Sequence, residues 1–340
     1  MKNSIVMVTG GAGFVGSHLV EALLANGNEV HVLDVVPLEQ AKNLQEVRDH
    51  EKLHYFVGDL RKQEDIEQFW QKDASVIFHL ASVVGIKHYI RDPLSLVDIV
   101  VIGTRHILTE AAKYNTKVVF SSTSEVYGKN PEVPWSEESD RVLGPTYVDR
   151  WSYATSKAVC EHMLYGMKKQ SGLPFVIVRF FNVYGPRQNP DFVVSQSIYK
   201  AMRGEQPLLY DDGNMTRCFT YVEDIVRGLM MVAENPAANG EAFNLGNSVE
   251  VNMRYVIETV LEITESNAGY QEYLTEKEYG KQYEDIIRRI PQIDKAAELL
   301  GWKAEIQLEE GILKTVEWAK QNQWWLGEGG TLGTVKVSQQ

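Results

Sequence analysis

The stretch TGGAGFVG, residues 9–16, decides the fold of this chain. The run SIVMV precedes it at residues 4–8 and is apolar and rich in β-branched residues, as expected of a strand. The segment SHLVEALLANG follows at residues 17–27, with apolar residues at helical spacing and a glycine stop. A strand, a glycine-rich turn and a helix in this order predict the start of a βαβ unit.

The three glycines of this turn have separate physical roles. Gly10 permits the tight turn, Gly13 lets the backbone approach a pyrophosphate, and Gly16 lets the helix pack close to the strand. The N–H groups at the start of the helix, around Phe14 and Val15, favour a negative charge. The turn is therefore a candidate phosphate cradle for a dinucleotide.

Further apolar, strand-like runs alternate with helix-like segments along the first half of the chain. They are EVHVLDV (29–35), KLHYFVGDL (52–60), ASVIFHLAS (74–82), KVVFSSTS (117–124) and PFVIVRFFNVYG (174–185). Continuously apolar strands between helices predict a parallel sheet that is covered on both faces. The predicted fold class is therefore α/β, with a doubly wound parallel sheet.

The regular alternation predicts where the domains lie. We expect the sheet domain to span residues 1–185 and to be completed by residues 219–248. Residues 186–218 and 249–326 are predicted to form a smaller C-terminal α/β lobe on the carboxyl edge of the sheet. The polar, glycine-rich stretch 327–340 is predicted to be a flexible tail.

Composition excludes several classes of protein. The chain has 340 residues, 44% hydrophobic and 24% charged, which is ordinary for a soluble globular protein. A formal net charge of −12 argues against nucleic acid as a partner. No apolar run approaches the roughly 20 residues that cross a bilayer, so no membrane association is expected. Cys160 and Cys218 are too few for a disulfide framework or a cysteine-rich metal site, and we expect no metal and a cytoplasmic location.

An acidic residue at the end of the second strand indicates which dinucleotide binds. Asp34 lies eighteen residues after Gly16, where a carboxylate can bind the ribose hydroxyls of adenosine. A carboxylate there repels a 2′-phosphate, so NAD is favoured over NADP. The ends of the next two strands lie at the same edge of the sheet and complete the predicted cofactor site with Asp59, Leu60, Leu80, Ala81 and Ser82.

The motif YATSK supplies a candidate catalytic pair. Tyr153 and Lys157 are four residues apart, so they share one face of a predicted helix. A free phenol titrates too high to act as a base at neutral pH, but a neighbouring ammonium favours the phenolate. Such a phenolate can take a proton from a sugar hydroxyl. Thr123, at the end of a strand thirty residues upstream, can donate a hydrogen bond to the same hydroxyl.

Together these motifs resemble the extended short-chain dehydrogenase/reductase family of nucleotide-sugar epimerases, dehydratases and decarboxylases. The resemblance covers the chain to about residue 320 and rests on VTGGAGFVGSHLV, SSTSEVYG, YATSK, RFFNVYGPRQ, TRCFTYVEDIVRGL, FNLGN and LGWKAEIQLEEGILKTVEW. It implies a Rossmann domain, tightly bound NAD⁺, a nucleotide-diphosphate sugar between two lobes, and a homodimer built from helices of the Rossmann domain. One departure is RWSYATSK, where many members have SPYxxSK.

A nucleotide-diphosphate sugar brings two negative charges into an acidic protein, so local cations must neutralise them. Arginine suits this task because its planar fork binds phosphate oxygens in pairs. The candidates are Arg187 and Arg217, together with Arg288 and Arg289 in IIRRIP. The resemblance places Arg217 at the diphosphate and Asn182 at the substrate. Tyr210 is a candidate for stacking on the base, and Ser124 for contacting the sugar.

Glu125 is the residue that separates the possible reactions. Simple 4-epimerases of the family that this chain resembles usually carry only small hydroxyl residues in this stretch, so an acid favours chemistry at carbon 5 or 6. The sequence TSE resembles both certain 4,6-dehydratases and UDP-glucuronate decarboxylases. The stretch YGKQYEDIIRRIPQIDKAAELLGW resembles the decarboxylases, whose catalytic arginine falls on Arg289. An arginine can hold a uronate carboxylate and assist protonation of the resulting enolate.

The predicted function is therefore oxidation of carbon 4 of a UDP-sugar, with decarboxylation of UDP-glucuronate as the preferred reaction. A UDP-sugar 4-epimerase and a nucleotide-diphosphate-sugar 4,6-dehydratase remain alternatives, because all three reactions begin with the same oxidation. A non-catalytic dinucleotide sensor and a simple alcohol dehydrogenase are more remote. A sensor would not need Tyr153 and Lys157, and an alcohol dehydrogenase would not need the diphosphate arginines.

Overall fold

A computed structural model describes residues 1–85, 92–279 and 284–327. The predicted tail lies almost wholly outside the described residues. The strands are β1 Ile5–Thr9, β2 Glu29–Asp34, β3 Leu53–Val57, β4 Val76–His79, β5 Lys117–Thr123, β6 Phe175–Phe180, β7 Val183–Tyr184, β8 Leu208–Tyr210, β9 Thr216–Cys218, β10 Thr220–Tyr221, β11 Glu241–Leu245, β12 Glu250–Asn252 and β13 Gln271–Tyr273.

The helices are α1 Phe14–Ala25, α2 Gln63–Phe69, α3 Pro93–Val97, α4 Gly103–Tyr114, α5 Arg150–Ser171, α6 Val193–Met202, α7 Val222–Glu234, α8 Met253–Ile263, α9 Thr275–Tyr279, α10 Asp294–Leu300 and α11 Leu308–Gln321. A π-helical segment, Asp98–Ile102, joins α3 to α4, and a short 3₁₀ turn, Ser124–Tyr127, follows β5. None of the helices described is long and apolar enough to span a bilayer.

Seven parallel strands form the main sheet in the order β3-β2-β1-β4-β5-β6-β11. The predicted doubly wound parallel sheet is confirmed. The order reverses between β1 and β4, and in such sheets ligands bind at this switch point, outside the carboxyl ends of the strands. The carboxyl ends of β1, β4 and β5 therefore position the candidate site.

Apolar side chains cover both faces of this sheet. Every residue of β4 is buried, as expected for a central strand between two helix layers. On one face, α1 and α7 pack against the sheet through Leu19, Leu23, Ile225 and Leu229. On the other face, α2, α4 and α5 pack through Ile66, Ile107, Leu108 and Leu164. The two layers therefore bury the strands that lead to the candidate site.

The smaller elements after β6 include three two-stranded sheets. β7 pairs in parallel with β10, β8 pairs in parallel with β13, and β9 pairs antiparallel with β12. β9 carries Arg217. The domain boundaries given above stay a prediction.

A buried ion pair lies behind the end of β5. Arg179 donates from Nε and Nη2 to the two carboxylate oxygens of Glu161, at 3.1 and 2.7 Å. Arg179 also donates to the hydroxyl of Tyr127 at 2.8 Å, and Ser122 donates to Glu161. Since the Ser122 hydroxyl is used here, Thr123 supplies the hydroxyl that faces the site.

Replacing Glu161 tests how much this ion pair stabilises the fold. We expect Glu161→Ala to lower the free energy of unfolding by about 3–5 kcal/mol, because it leaves the Arg179 guanidinium buried without its partner. Urea denaturation measures this loss. The double variant Glu161→Ala/Arg179→Met should lose less, and the exposed control Glu132→Ala should stay within about 0.5 kcal/mol of the parent. A loss below about 1 kcal/mol for Glu161→Ala would contradict this account.

Candidate active site

The glycine turn between β1 and α1 is packed so closely that its glycines have distinct constraints. Gly10 has φ +74°, and a Cβ there would lie 2.7 Å from the Cα of Ala81. A Cβ on Gly16 would lie 2.1 Å from the carbonyl oxygen of Gly10. A Cβ on Gly13 would meet only that oxygen, at 3.1 Å. Backbone atoms therefore fill the space beside Gly10 and Gly16, whereas the space beside Gly13, just before α1, is mostly empty.

Asp34 is bound to this turn. Its Oδ2 accepts a hydrogen bond from the backbone N–H of Ala12 at 3.0 Å, and its Oδ1 accepts one from Val36 at 3.1 Å. Burial raises the pKa of the Asp34 carboxyl, and these backbone bonds oppose the rise. The carboxylate thus lies at the end of β2 beside the turn, as an acid that binds ribose hydroxyls must.

The other predicted cofactor residues lie at neighbouring strand ends. Leu80, Ala81 and Ser82 directly follow β4, and the N–H of Ala81 donates to the hydroxyl of Thr9 at 3.2 Å. Asp59 forms an ion pair with Arg61 at 2.5 Å, so its carboxylate already has a cation. Leu60 is buried, while Phe14 and Val15 form the first turn of α1. The open turn, the acid beside it and the strand ends fit an NAD molecule.

Tyr153 and Lys157 lie one turn apart on α5 and are both buried. The Lys157 ammonium donates to the carbonyl of Ser121 at 2.7 Å and lies 5.9 Å from the centre of the Tyr153 ring. Burial lowers the pKa of Lys157 to about 8. The helix therefore holds the ammonium under the tyrosine ring and against the end of β5.

Burial raises the pKa of the Tyr153 phenol well above its usual value, and the Glu125 charge raises it further. Hydrogen bonds from Ser82 and Thr123 act in the opposite direction. A further positive charge next to the ring is needed before the phenol can act as a base at neutral pH. The nicotinamide ring of bound NAD⁺ carries such a charge.

His79, at the end of β4, lies beneath this pair. Its Nδ1 is 2.8 Å from the hydroxyl of Thr9, and its Nε2 is 3.0 Å from the hydroxyl of Thr104. Burial, reinforced by the Lys157 charge, lowers the pKa of His79 to about 3. The imidazole is therefore neutral and adds no second positive charge next to Lys157.

Three buried arginines and two partly buried acids form a cluster beside Tyr153. Glu125 Oε1 lies 2.6 Å from Arg289 Nη1 and 3.1 Å from Arg150 Nη2. Asp285 Oδ1 lies 3.1 Å from Arg217 Nη2, 3.3 Å from Arg150 Nη1 and 4.0 Å from Arg289 Nη2. We call these five residues the arginine cluster. Three guanidinium groups face two carboxylates, so the cluster carries one net positive charge when all are ionised.

The charges in the arginine cluster set the protonation of its members. Burial alone would raise the pKa of Glu125, but Arg150 and Arg289 outweigh it and the pKa lies below its usual value. The same arginines and Arg217 outweigh burial at Asp285, whose pKa is also lowered. Burial and the neighbouring Arg289 lower the pKa of Arg217 to about 10, which leaves it charged at neutral pH. An additional anion is the group that this cluster accommodates best.

Glu125 itself leaves one oxygen available. Its backbone N–H donates to the hydroxyl of Thr123 at 3.2 Å, which fixes the turn after β5. Its Oε1 takes both arginines, whereas its buried Oε2 has no hydrogen-bond partner among the residues described. A buried polar atom without a partner is costly, so this oxygen is suited to receive a hydrogen bond from a ligand.

The remaining predicted substrate residues lie in different surroundings. The Asn182 side chain donates to the carbonyl of Cys218 at 3.2 Å, and the backbone of Asn182 has φ +36°. Arg187 pairs with Glu21 of α1 at 2.6 Å, so this ion pair places it at α1 and not in the arginine cluster. Tyr210 packs edge-on against Tyr273, with ring centres 5.9 Å apart. Ser124 is buried in the turn after β5.

Sequence reasoning missed Arg150 and Asp285, which the structure brings to the site. The signal for Arg150 was its position three residues before Tyr153, which puts both on one face of α5. It also falls in the departure RWSYATSK noted above. Asp285 lies in an irregular segment, where sequence spacing does not predict direction. Both cysteines are buried and unpaired.

The chain is similar over most of its length to proteins that act on nucleotide sugars. A family profile described as GDP-mannose 4,6 dehydratase matches residues 7–315. A UDP-N-acetyl-alpha-D-glucosaminuronate decarboxylase of Bacillus cytotoxicus is 36% identical over 318 residues, which cover 93% of this chain and 97% of that protein. UDP-glucuronic acid decarboxylase 1 of Xenopus tropicalis is 35% identical over 322 residues, covering 93% of this chain and 72% of that protein.

A solved structure shows the same likeness. The UDP-glucose 4-epimerase of Thermus thermophilus, in complex with NAD, superposes with a TM-score of 0.81 at 30% identity. The superposition covers 93% of this chain and 99% of that chain.

Substitution of Gly16 tests the dinucleotide cradle. We expect Gly16→Ala to weaken NAD binding at least about tenfold and to lower thermal stability, because the new Cβ must push α1 away from the Gly10 carbonyl. Calorimetric titration of the NAD-free protein measures the first effect. Gly166→Ala is the control, since a Cβ there meets nothing within 4 Å. Unchanged NAD affinity in Gly16→Ala would show that the dinucleotide binds elsewhere.

Proposed function

The chain belongs to the NAD-dependent epimerase/dehydratase family of extended short-chain dehydrogenases/reductases, and from this premise we propose that it decarboxylates a UDP-hexuronate, with UDP-glucuronate as the substrate. The observation that carries the proposal is the pairing of Glu125 with Arg150 and Arg289 beside Tyr153. A site that works only at carbon 4 has no use for a buried acid between two arginines. A sugar with a carboxylate on carbon 5 supplies an anion that Arg289, on the Glu125 side of the arginine cluster, can hold.

The cofactor is NAD, held at the glycine turn by backbone N–H groups and near Asp34. When bound, it would supply the hydride acceptor and donor that reaction at carbon 4 of the sugar needs. The solved relative from Thermus thermophilus contains NAD. The residues around the turn, including Gly10, Gly13 and Gly16, would hold the dinucleotide.

Tyr153 starts the reaction as a general base. Its phenolate takes the proton of the C4 hydroxyl, while the Thr123 hydroxyl donates a hydrogen bond to the same oxygen. Lys157 stabilises the phenolate from below, and neutral His79 keeps the positive charge on Lys157 alone. The product of this step is a 4-keto uronate.

The arginine cluster acts in the second step. The 4-keto uronate is a β-keto acid, so the bond between carbons 5 and 6 can break with its electrons passing into an enolate that ends on the C4 oxygen. Arg289 holds the carboxylate before it leaves as carbon dioxide and then orients the proton donor for carbon 5. Glu125 accepts a hydrogen bond from the sugar through Oε2. Its negative charge also favours loss of the neighbouring carboxylate as a neutral molecule.

The nucleotide end of the substrate is assigned to the smaller lobe. Arg217 neutralises the diphosphate from β9, and Asn182 lies at the junction of the lobes, where its side chain reaches Cys218. We assign Tyr210 to the base, and Ser124 and Arg187 to the substrate, as the sequence predicts. The two decarboxylases compared above act on sugars that differ at carbon 2, so UDP-N-acetylglucosaminuronate belongs in the same substrate panel.

We also propose that the protein is a cytoplasmic homodimer. Apolar side chains are exposed on the outer faces of the neighbouring helices α4 and α5 and the segment before them, including Ile102, Tyr114, Val159 and Tyr165. A second copy of the chain can cover such a surface. Light scattering should give twice the chain mass of 38.5 kDa, and a monomer mass would refute the dimer.

Tyr153→Phe tests the first step. We expect turnover of UDP-glucuronate to fall at least about 10³-fold, because no other base among the described residues is assigned to carbon 4, while the fold and NAD binding persist. Turnover is measured by mass spectrometry of the nucleotide sugars, and folding by circular dichroism. Near-normal turnover in this variant would remove Tyr153 from the mechanism.

Glu125→Gln tests the second step separately. We expect carbon dioxide release to fall at least about 10²-fold, while NAD still binds and is still reduced on mixing with UDP-glucuronate. Absorbance of the reduced nicotinamide and labelled carbon dioxide from a C6-labelled substrate measure the two steps. Glu132→Gln, at an exposed position, is the control. If the parent protein converts UDP-glucuronate to a product that keeps the carboxylate and has carbon 4 inverted, the protein is an epimerase instead.

A further inference from the structure

Arg150 has no role in the function proposed above beyond its contact with Glu125. We propose that Arg150 is a positioning residue, which fixes the Glu125 carboxylate as an anion in one orientation and so directs its second oxygen at the sugar. The consequence for turnover rests on the proposed function. The effect on Glu125 rests on the geometry of the arginine cluster alone.

The position of Arg150 in the fold makes its side chain rigid. It is the first residue of α5, one turn before Tyr153, so the helix that presents the catalytic tyrosine also presents this guanidinium. Its side chain is only 2% exposed. A guanidinium that is buried so completely is stable only where carboxylates lie against it. Arg150 is therefore built into the site and is not a surface cation that happens to reach it.

Two acids clamp the fork of Arg150 from opposite sides. Nη2 lies 3.1 Å from Glu125 Oε1, and Nη1 lies 3.3 Å from Asp285 Oδ1. Since the two nitrogens of a guanidinium are fixed relative to each other, the Asp285 contact sets the direction in which Nη2 points. Asp285 thus orients Arg150, and Arg150 orients Glu125.

The same contacts give the two carboxylate oxygens of Glu125 different surroundings. Arg150 from α5 and Arg289 from the segment after Asp285 both bind Oε1. Oε2 is buried and has no hydrogen-bond partner among the described residues. With a single arginine the carboxylate could rotate to pair both oxygens with it. Two arginines from different elements, both on Oε1, hold Oε2 free for a ligand.

Four charged groups among the described residues shift the pKa of Glu125. Arg150 and Arg289 lower its pKa most, Arg217 of β9 lowers it less, and Asp285 raises it. Tyr153 faces it from α5 and is neutral until it loses its proton. Removing the Arg150 charge therefore raises the pKa of Glu125, so a larger fraction of the carboxyl is protonated at any pH near that pKa.

Two substitutions at Arg150 test the proposal. Infrared difference titration of the NAD-bound protein follows the carbonyl band of protonated Glu125, which is identified because Glu125→Gln removes it. We expect Arg150→Met to raise the Glu125 pKa by at least about one unit, and Arg150→Lys, which keeps the charge without the fork, to raise it less. Arg48→Met is the matched control, because Arg48 is 54% exposed and pairs with Asp49 away from the site.

The pH dependence of turnover gives the second readout. If ionised Glu125 is required, the acidic limb of kcat for UDP-glucuronate moves to higher pH in Arg150→Met by the same amount as the infrared titration, and much of the shift is recovered in Arg150→Lys. A purely structural role would lower kcat equally at all pH values. A Glu125 pKa that is unchanged in folded, NAD-bound Arg150→Met overturns the proposal.

Two further outcomes are distinguishable. If Arg150→Met does not fold or bind NAD, the test passes to Arg150→Lys, where an unchanged Glu125 titration and an unchanged kcat together overturn the proposal. If Glu125 titrates as expected but no carbon dioxide is released by the parent protein, the positioning role of Arg150 stands and the proposed decarboxylation fails.

Discussion

The candidate site depends on one electrostatic constraint, the burial of three guanidinium groups beside Tyr153. Each buried cation needs an anion within contact distance, and the chain supplies only Glu125 and Asp285 among the described residues. These five residues come from the turn after β5, the start of α5, β9 and the segment after residue 283. The cluster therefore joins the turn after β5 and the start of α5 to β9 and the segment after residue 283, and its unbalanced charge favours an anionic ligand.

The ion pair behind β5 has a different purpose from the arginine cluster. Arg179 pairs with both carboxylate oxygens of Glu161, and Ser122 and Tyr127 complete their hydrogen bonds. The pair therefore fixes the strand end and leaves no net charge for a ligand. In the arginine cluster, by contrast, cations outnumber anions and one Glu125 oxygen lacks a partner among the described residues. The two groups therefore differ in charge balance and in whether every carboxylate oxygen has a hydrogen-bond partner.

Much of the fold was predictable from the sequence, because the glycine turn, Asp34 and the apolar runs each obey a local rule. Gly16 is required by the packing of one turn, and β4 and β5 are apolar because both faces are covered. The site was less predictable. Tyr153 and Lys157 follow from helical spacing, but Arg150 looked like part of a departure from a motif, and Asp285 lies in irregular chain whose direction no periodicity fixes. Arg187 was predicted to bind substrate from its charge alone, whereas its ion pair is with Glu21.

The central claim is that the arginine cluster recognises a carboxylate on carbon 5 of the sugar. Comparing kcat/KM for UDP-glucuronate and UDP-glucose tests it most directly, because the two share base, diphosphate and carbon 4 and differ only in that carboxylate. The account predicts a preference for UDP-glucuronate of at least about thirty-fold, which corresponds to about 2 kcal/mol for a desolvated charge-assisted contact, with carbon dioxide released. Equal kcat/KM values for the two sugars would contradict it.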